Sequence, residues 1–95
     1  MEILIDGTNV KDEKDFHSLI SSALSFSSYY GRNLDALFDV LSTDVERPIT
    51  LIWKNSEVSK INMGDDFERV VNVLRRVERQ DADWKLDEKF KLQLN

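Results

Sequence analysis

The sequence predicts an α/β fold, a small three-stranded parallel sheet packed with about four helices in the order β-α-α-β-α-α-β. Short apolar or β-branched runs alternate with longer stretches whose apolar residues recur at a spacing near 3.6, the signature of strands alternating with amphipathic helices. The segments between successive runs are too long for hairpins, so the strands pair in parallel. Ninety-five residues suffice for one hydrophobic core and not two, so residues 1–95 are expected to form a single domain.

Each element has its own warrant. Met1 to Ile5 is nearly continuous apolar sequence ending in the turn signal "DGT", as suits a strand covered on both faces. From Asp12, a suitable N-cap, Phe16, Leu19, Ile20, Ala23 and Leu24 follow the i, i+3, i+4, i+7, i+8 pattern of a helix. "SFSSYYGR", residues 25–32, has no period and contains Gly31, so it reads as a loop leading to Asn33, the N-cap of a second helix. That helix carries Leu34, Leu37 and Leu41 on one stripe and ends near Ser42 or Thr43. Pro48 introduces "ITLIW", a β-branched and aromatic run read as the second strand. Residues 55–62 predict a short helix with Val58 and Ile61 turned inward. After Gly64, Phe67, Val70, Val71, Leu74 and Val77 hold the helical period to about Gln80. "DADWKLDEK" reads as a surface loop, and "FKLQL", residues 90–94, alternates as a half-exposed edge strand should.

Composition narrows the function. With 41% hydrophobic and 33% charged residues, the chain belongs with ordinary globular proteins. The formal net charge of -5 and sequence pI of about 4.8 argue against nucleic acid or an anionic membrane as direct partner and favour a basic protein. There are no cysteines, which removes disulfides, thiol nucleophiles and thiolate metal sites. The amino terminus lacks the basic and long apolar regions of a signal peptide, and no apolar run approaches the roughly 20 residues of a membrane span. A cytoplasmic location is therefore expected, and one small domain with no obvious second apolar face is expected to be a monomer.

Catalytic candidates are few. His17 is the only histidine; the helical pattern points it outward, and no Ser-His-Asp set assembles around it. Gly7, Gly31 and Gly64 stand singly at turns, so no phosphate-cradling loop is present. Asp65 with Asp66, or Asp81 with Asp83, does not match the spaced oxygen ligands of a calcium loop. Asp65 and Asp66 instead complement the positive end of a helix dipole, and Arg75, Arg76 and Arg79 its negative end. No catalytic residue, cofactor or metal is expected.

"YYGRNLDALFDVL", residues 29–41, is different. Asp35 and Asp39 lie one turn apart, where two carboxylates repel by a few tenths of a kcal/mol. From Asn33 to Glu46 the charged residues are Asp35, Asp39, Asp44 and Glu46, with no lysine or arginine among them. Such a field attracts a cation-lined cleft. Tyr29, Tyr30 and Phe38 add the rigid amphipathic rings typical of interfaces. Asp39 could accept paired bonds from arginine where a substrate phosphate would sit.

This segment resembles the signature of the barstar family, intracellular inhibitors of the secreted ribonuclease barnase, in which a Tyr-Tyr-Gly-x-Asn-Leu-Asp-Ala-Leu-aromatic-Asp stretch forms the inhibitory loop and helix. "VERP" followed by a strand with Trp53, and the general order of elements, are similar too. The resemblance implies that Tyr29 packs on the nuclease rim, Gly31 lets the backbone approach closely, and Asn33 shapes the helix start. It also implies that Asp35 meets basic residues of the cleft and that Asp39 occupies the phosphate subsite as principal anchor. The expected partner surface runs from Tyr29 and Tyr30 through Thr43 and Asp44 to Glu46, with Arg76 at its rim. Phe38 and Asp44 stand where the family has tryptophan, Arg76 where it has an acidic residue, and the loop before Phe90 is longer. The partner expected is a basic extracellular-type ribonuclease or related toxin, held in a 1:1 heterodimer. The alternative is an immunity or regulatory protein that uses the same acidic face on a partner other than a ribonuclease. A hydrolase using Asp35 and Asp39 as acid and base finds no support, because a raised carboxyl pKa needs burial.

Overall fold

A computed structural model describes residues 1–95. Its elements are β1 (Glu2–Asp6), a 3-10 turn (Gly7–Asn9), α1 (Glu13–Leu24), α2 (Leu34–Thr43), β2 (Ile49–Lys54), α3 (Ser56–Met63), α4 (Asp65–Asp83) and β3 (Phe90–Leu94). The sheet order is β1-β2-β3, parallel throughout, with β2 central. This is the predicted fold class.

Side-chain alternation decides how the sheet is used. Ile5, Ile49, Leu51, Trp53, Phe90 and Leu92 point into a core completed by Phe16 and Ile20 of α1, Leu37 and Leu41 of α2, and Phe67, Val70, Leu74 and Val77 of α4. Trp53 is fully enclosed, with Phe16 stacked on its ring at 5.0 Å and Phe67 tilted against it at 5.2 Å. Each such aromatic pair adds about 0.5–1.5 kcal/mol beyond the area it buries. The other sheet face carries the aligned rows Glu2, Thr50, Lys91 and Leu4, Ile52, Gln93. Leu4 is 57% exposed. The expectation that β1 is covered on both faces is thereby corrected: an apolar run at an edge looks like a two-sided strand, but the helices of this fold cover one side.

Two further expectations change. In α3 the buried residues are Ser56, Ser59 and Met63, while Val58 and Ile61 face outward, Ile61 being 82% exposed. Polar contacts set this rotation. Trp53 Nε1 donates to Ser59 Oγ at 3.0 Å, and Ser59 Oγ donates to the Gly7 carbonyl at 2.8 Å, so serine occupies the inner stripe. A helix this short has too few apolar residues for periodicity to overrule such bonds.

The fourth helix runs past Gln80 to Asp83, absorbing the first part of the expected surface loop. Asp81 is buried at 1% exposure, gripped by Arg47 from Nε at 2.9 Å and from Nη2 at 3.1 Å. Arg47 also donates from Nη1 to the carbonyls of Leu41 and Val45 at 2.6 and 2.7 Å. One guanidinium therefore joins the end of α2 and the loop before β2 to α4. The arginines of α4 consequently do not serve its dipole, since the last turn contains no basic residue.

Carboxylates of α4 also protect the sheet edge. The Phe90 and Leu92 N–H groups point away from β2, and they donate to Asp81 Oδ2 at 2.7 Å and Glu78 Oε2 at 2.6 Å. The Leu92 carbonyl accepts from Arg75 at 3.2 Å. The outer edge of β3 is thus occupied by side chains at these positions, which blocks addition of another strand there.

Candidate functional site

The site is built where α1 hands over to α2. Ser25 ends α1 in the left-handed conformation, φ 55°, and the Phe26 N–H returns to the Ser21 carbonyl at 2.9 Å. Ser27 then organises the turn, its Oγ accepting from the Tyr29 N–H at 3.0 Å and its carbonyl from the Tyr30 N–H at 3.0 Å. Asn33 caps α2 by accepting from the Ala36 N–H at 2.8 Å and donates back to the Gly31 carbonyl at 3.3 Å. The expected loop and cap are both present.

This turn sends the two tyrosines in opposite directions. Tyr29 is 95% exposed. Tyr30 packs inward against Phe26 at 4.9 Å, with its hydroxyl 2.6 Å from His17 Nδ1. His17 itself is buried at 2%, correcting the outward placement expected from the helical pattern. Its other nitrogen, Nε2, lies 2.9 Å from Glu13. A carboxylate only accepts, so Nε2 carries hydrogen and donates to Glu13; in the neutral imidazole Nδ1 then accepts from the Tyr30 hydroxyl. Burial, reinforced by the charge of Glu13, pushes the Tyr30 phenol well above its ordinary value, while Arg32 opposes the shift. The phenol stays protonated and hydrogen-bonded to the imidazole.

Between this turn and α2 lies a depression of about 270 Å³. Tyr29, Tyr30, Gly31, Asp39, Thr43 and Asp44 line it together with Phe26, Ala36 and Val40. Thr43 Oγ1 is 2.7 Å from the Asp39 carbonyl and 3.0 Å from Asp44 Oδ1, sharing one hydroxyl proton between them. Asp35 and Phe38 lie outside the depression, on the neighbouring part of α2. Glu46 lines an adjoining hollow with Asp44 and Val45. Arg76 reaches from α4 over the Phe38 ring, 4.4 Å from its centroid.

The electrostatics separate the acids by role. Asp35 stands in the first turn of α2, where the helix dipole favours a negative charge. Asp39 lies in the second half of the helix and Asp44 is its C-cap, with no basic residue in the last turn. There the dipole disfavours Asp44 and gives Asp39 no benefit. None of Asp35, Asp39, Asp44 and Glu46 takes part in an ion pair within the molecule. No three histidine or carboxylate side chains gather as metal ligands would.

The groups that support this turn, His17, Glu13 and Phe26, are not announced by the sequence. A sole histidine followed thirteen residues later by tyrosine carries no recognisable spacing; only the folded turn brings them together.

Three parallel strands under four helices, with an acidic face between loop and helix, define a small α/β protein of the barstar-like fold. The chain belongs to the barstar family: the family described as Barstar (barnase inhibitor) matches it over residues 1–95. It is also similar to a Bacillus subtilis (strain 168) protein named "Putative ribonuclease inhibitor YrdF", with 37% identity over 91 residues, covering 96% of this chain and 94% of that one.

Proposed function

We propose that the protein inhibits a barnase-type ribonuclease by placing its acidic face in the nuclease active site. The observation that carries this reading is Asp39: exposed, without an ion-pair partner, at a helix position where its charge brings no stability. Family membership and the inhibitor name of the relative support the same class of partner.

In this mechanism no bond is made or broken in the inhibitor. Asp39 takes the place of a substrate phosphate and accepts charge-assisted hydrogen bonds from cleft arginines or lysines. Asp35 meets further basic groups, and Asp44 and Glu46 extend the field that steers encounter. Tyr29 supplies exposed aromatic area against the rim, and Tyr30, held by His17, sets the loop's position. Asn33 acts indirectly by fixing the start of α2. The protein works as a monomer that forms a 1:1 complex in the cytoplasm of the cell making the nuclease.

The test is inhibition of purified barnase, titrated at low and moderate salt beside Asp39→Ala. Tight inhibition that weakens with salt and disappears in the variant supports the reading; folded protein that inhibits neither barnase nor any barnase variant altered at its cleft rim rejects it. A second reading, an immunity or regulatory protein for a different target, draws on the reversed charge at Arg76 and the acid at Asp44, both of which alter the partner that fits.

A further inference from the structure

Beside the acidic face lies a surface of the opposite character. Arg76 covers Phe38, and with Arg79 and Trp84 these residues line a depression of about 240 Å³. Trp84 is 64% exposed. Neither the Arg76 nor the Arg79 guanidinium forms an ion pair or hydrogen bond within the molecule, although Asp83 lines the same depression. By contrast, Arg47, Arg69 and Arg75 are each paired with a carboxylate. The α4 dipole does not explain the two free arginines either, because the helix continues beyond both.

We infer that Arg76 and Arg79 form an anion-accepting subsite for the same ribonuclease, whose cleft rim bears a carboxylate opposite the positively charged groups that receive Asp39. This rests on the proposed inhibitor function and deepens it by describing the partner. Stacking on Phe38 restrains the Arg76 guanidinium while leaving its N–H donors for a planar carboxylate. Trp84 supplies an exposed ring beside the arginines, and tryptophan and arginine are both enriched at interface hot spots. Phe38 belongs to α2 with Asp35 and Asp39, so one rigid helix links the two fields. A partner with a uniformly basic rim meets Asp39 favourably and Arg76 unfavourably, which makes position 76 a determinant of specificity.

The experiment uses barnase and a set of barnase variants in which each lysine or arginine around the active-site cleft is changed singly to glutamate. Each is titrated with the protein, with Arg76→Glu, Arg79→Glu, Trp84→Ala and Asp39→Ala, after thermal unfolding has shown that the variants fold. At least one rim variant is expected to bind the unsubstituted protein about tenfold more tightly than barnase does, a coupling near 1.4 kcal/mol. Arg76→Glu should cancel that gain and strengthen binding to barnase itself. Asp39-dependent inhibition without coupling to Arg76 or Arg79 at any rim position overturns the subsite alone. Absence of inhibition in every combination overturns it together with the ribonuclease reading. A concentration-dependent dimer dissociated by Trp84→Ala would assign the patch to self-association and likewise overturn the subsite.

Discussion

The Tyr30 hydroxyl sits 2.6 Å from His17 Nδ1, so the turn that presents Tyr29 is fastened to the buried side of α1. Tyr30→Phe keeps the ring on Phe26 but leaves an imidazole nitrogen buried without a partner. That costs about 1–3 kcal/mol. Urea unfolding should show this loss, and inhibition should weaken even though the deleted oxygen points inward. Unchanged stability would mean that His17 finds another partner.

Acid should weaken the fold through Asp81. Burial alone would raise the Asp81 carboxyl, but hydrogen bonds from Arg47 and the Phe90 N–H, with the charges of Arg47 and Lys89, outweigh it and hold the group below its ordinary 3.8. The folded form therefore binds the proton less readily than the unfolded form. Its stabilisation is complete above 3.8 and is lost as pH falls through the lower folded-state value. Asp6, held down mainly by the Thr8 N–H and the Asn55 amide, acts in the same direction. Thermal unfolding followed from pH 7 to pH 2 should decline on its acid limb, less steeply in Asp81→Asn. At neutral pH, Arg47→Ala should cost about 3–5 kcal/mol by stranding a buried charge.

The helices were legible because Phe16, Ile20, Leu37, Leu41, Val70 and Leu74 lie on regular apolar periods that the fold buries, and the strands because Ile49, Leu51, Trp53, Phe90 and Leu92 stand in short apolar or alternating runs that it also buries. The loop and cap were legible because Gly31 and Asn33 have strong local preferences. What escaped depends on distant partners. His17 is inward because Glu13 and Tyr30 satisfy both its nitrogens, and α4 continues through Asp81 because Arg47, thirty-four positions earlier, neutralises it. Ser59 lies inward because Trp53 and Gly7 bond to it, so polar residues stand where periodicity expects Val58 and Ile61. Periodicity records burial by apolar residues and is blind to polar residues buried in pairs.

Gly7 and Ser59 meet at that polar junction. A Cβ on Gly7 would come within 2.4 Å of the Asn55 carbonyl, 2.6 Å of Ser59 Oγ and 2.7 Å of the Lys54 carbonyl. Two of these are backbone atoms that cannot swing aside, so Gly7→Ala should cost about 1–3 kcal/mol through overpacking. Ser59→Ala should cost a similar amount, because the Trp53 N–H and Gly7 carbonyl both lose a buried partner. Urea unfolding monitored by far-UV circular dichroism measures both losses, while a shift in native-state tryptophan emission in Ser59→Ala reports the altered surroundings of Trp53.

Binding and folding fall to different residues of one helix, α2. Leu37 is fully buried and Asp39, two residues later, is exposed without an ion-pair partner. Leu37→Ala opens a core cavity and should lower stability by about 2–5 kcal/mol. Asp39→Ala removes a carboxylate one turn from Asp35, relieving a repulsion of a few tenths of a kcal/mol, and replaces it with the strongest helix former. It should therefore hold or slightly raise the urea midpoint while removing most inhibition of barnase. Leu37→Ala, assayed at a temperature where it remains folded, should retain inhibition. Two variants losing stability and inhibition in the same proportion would show that Asp39 acts through the fold, and the acidic face would then need another explanation.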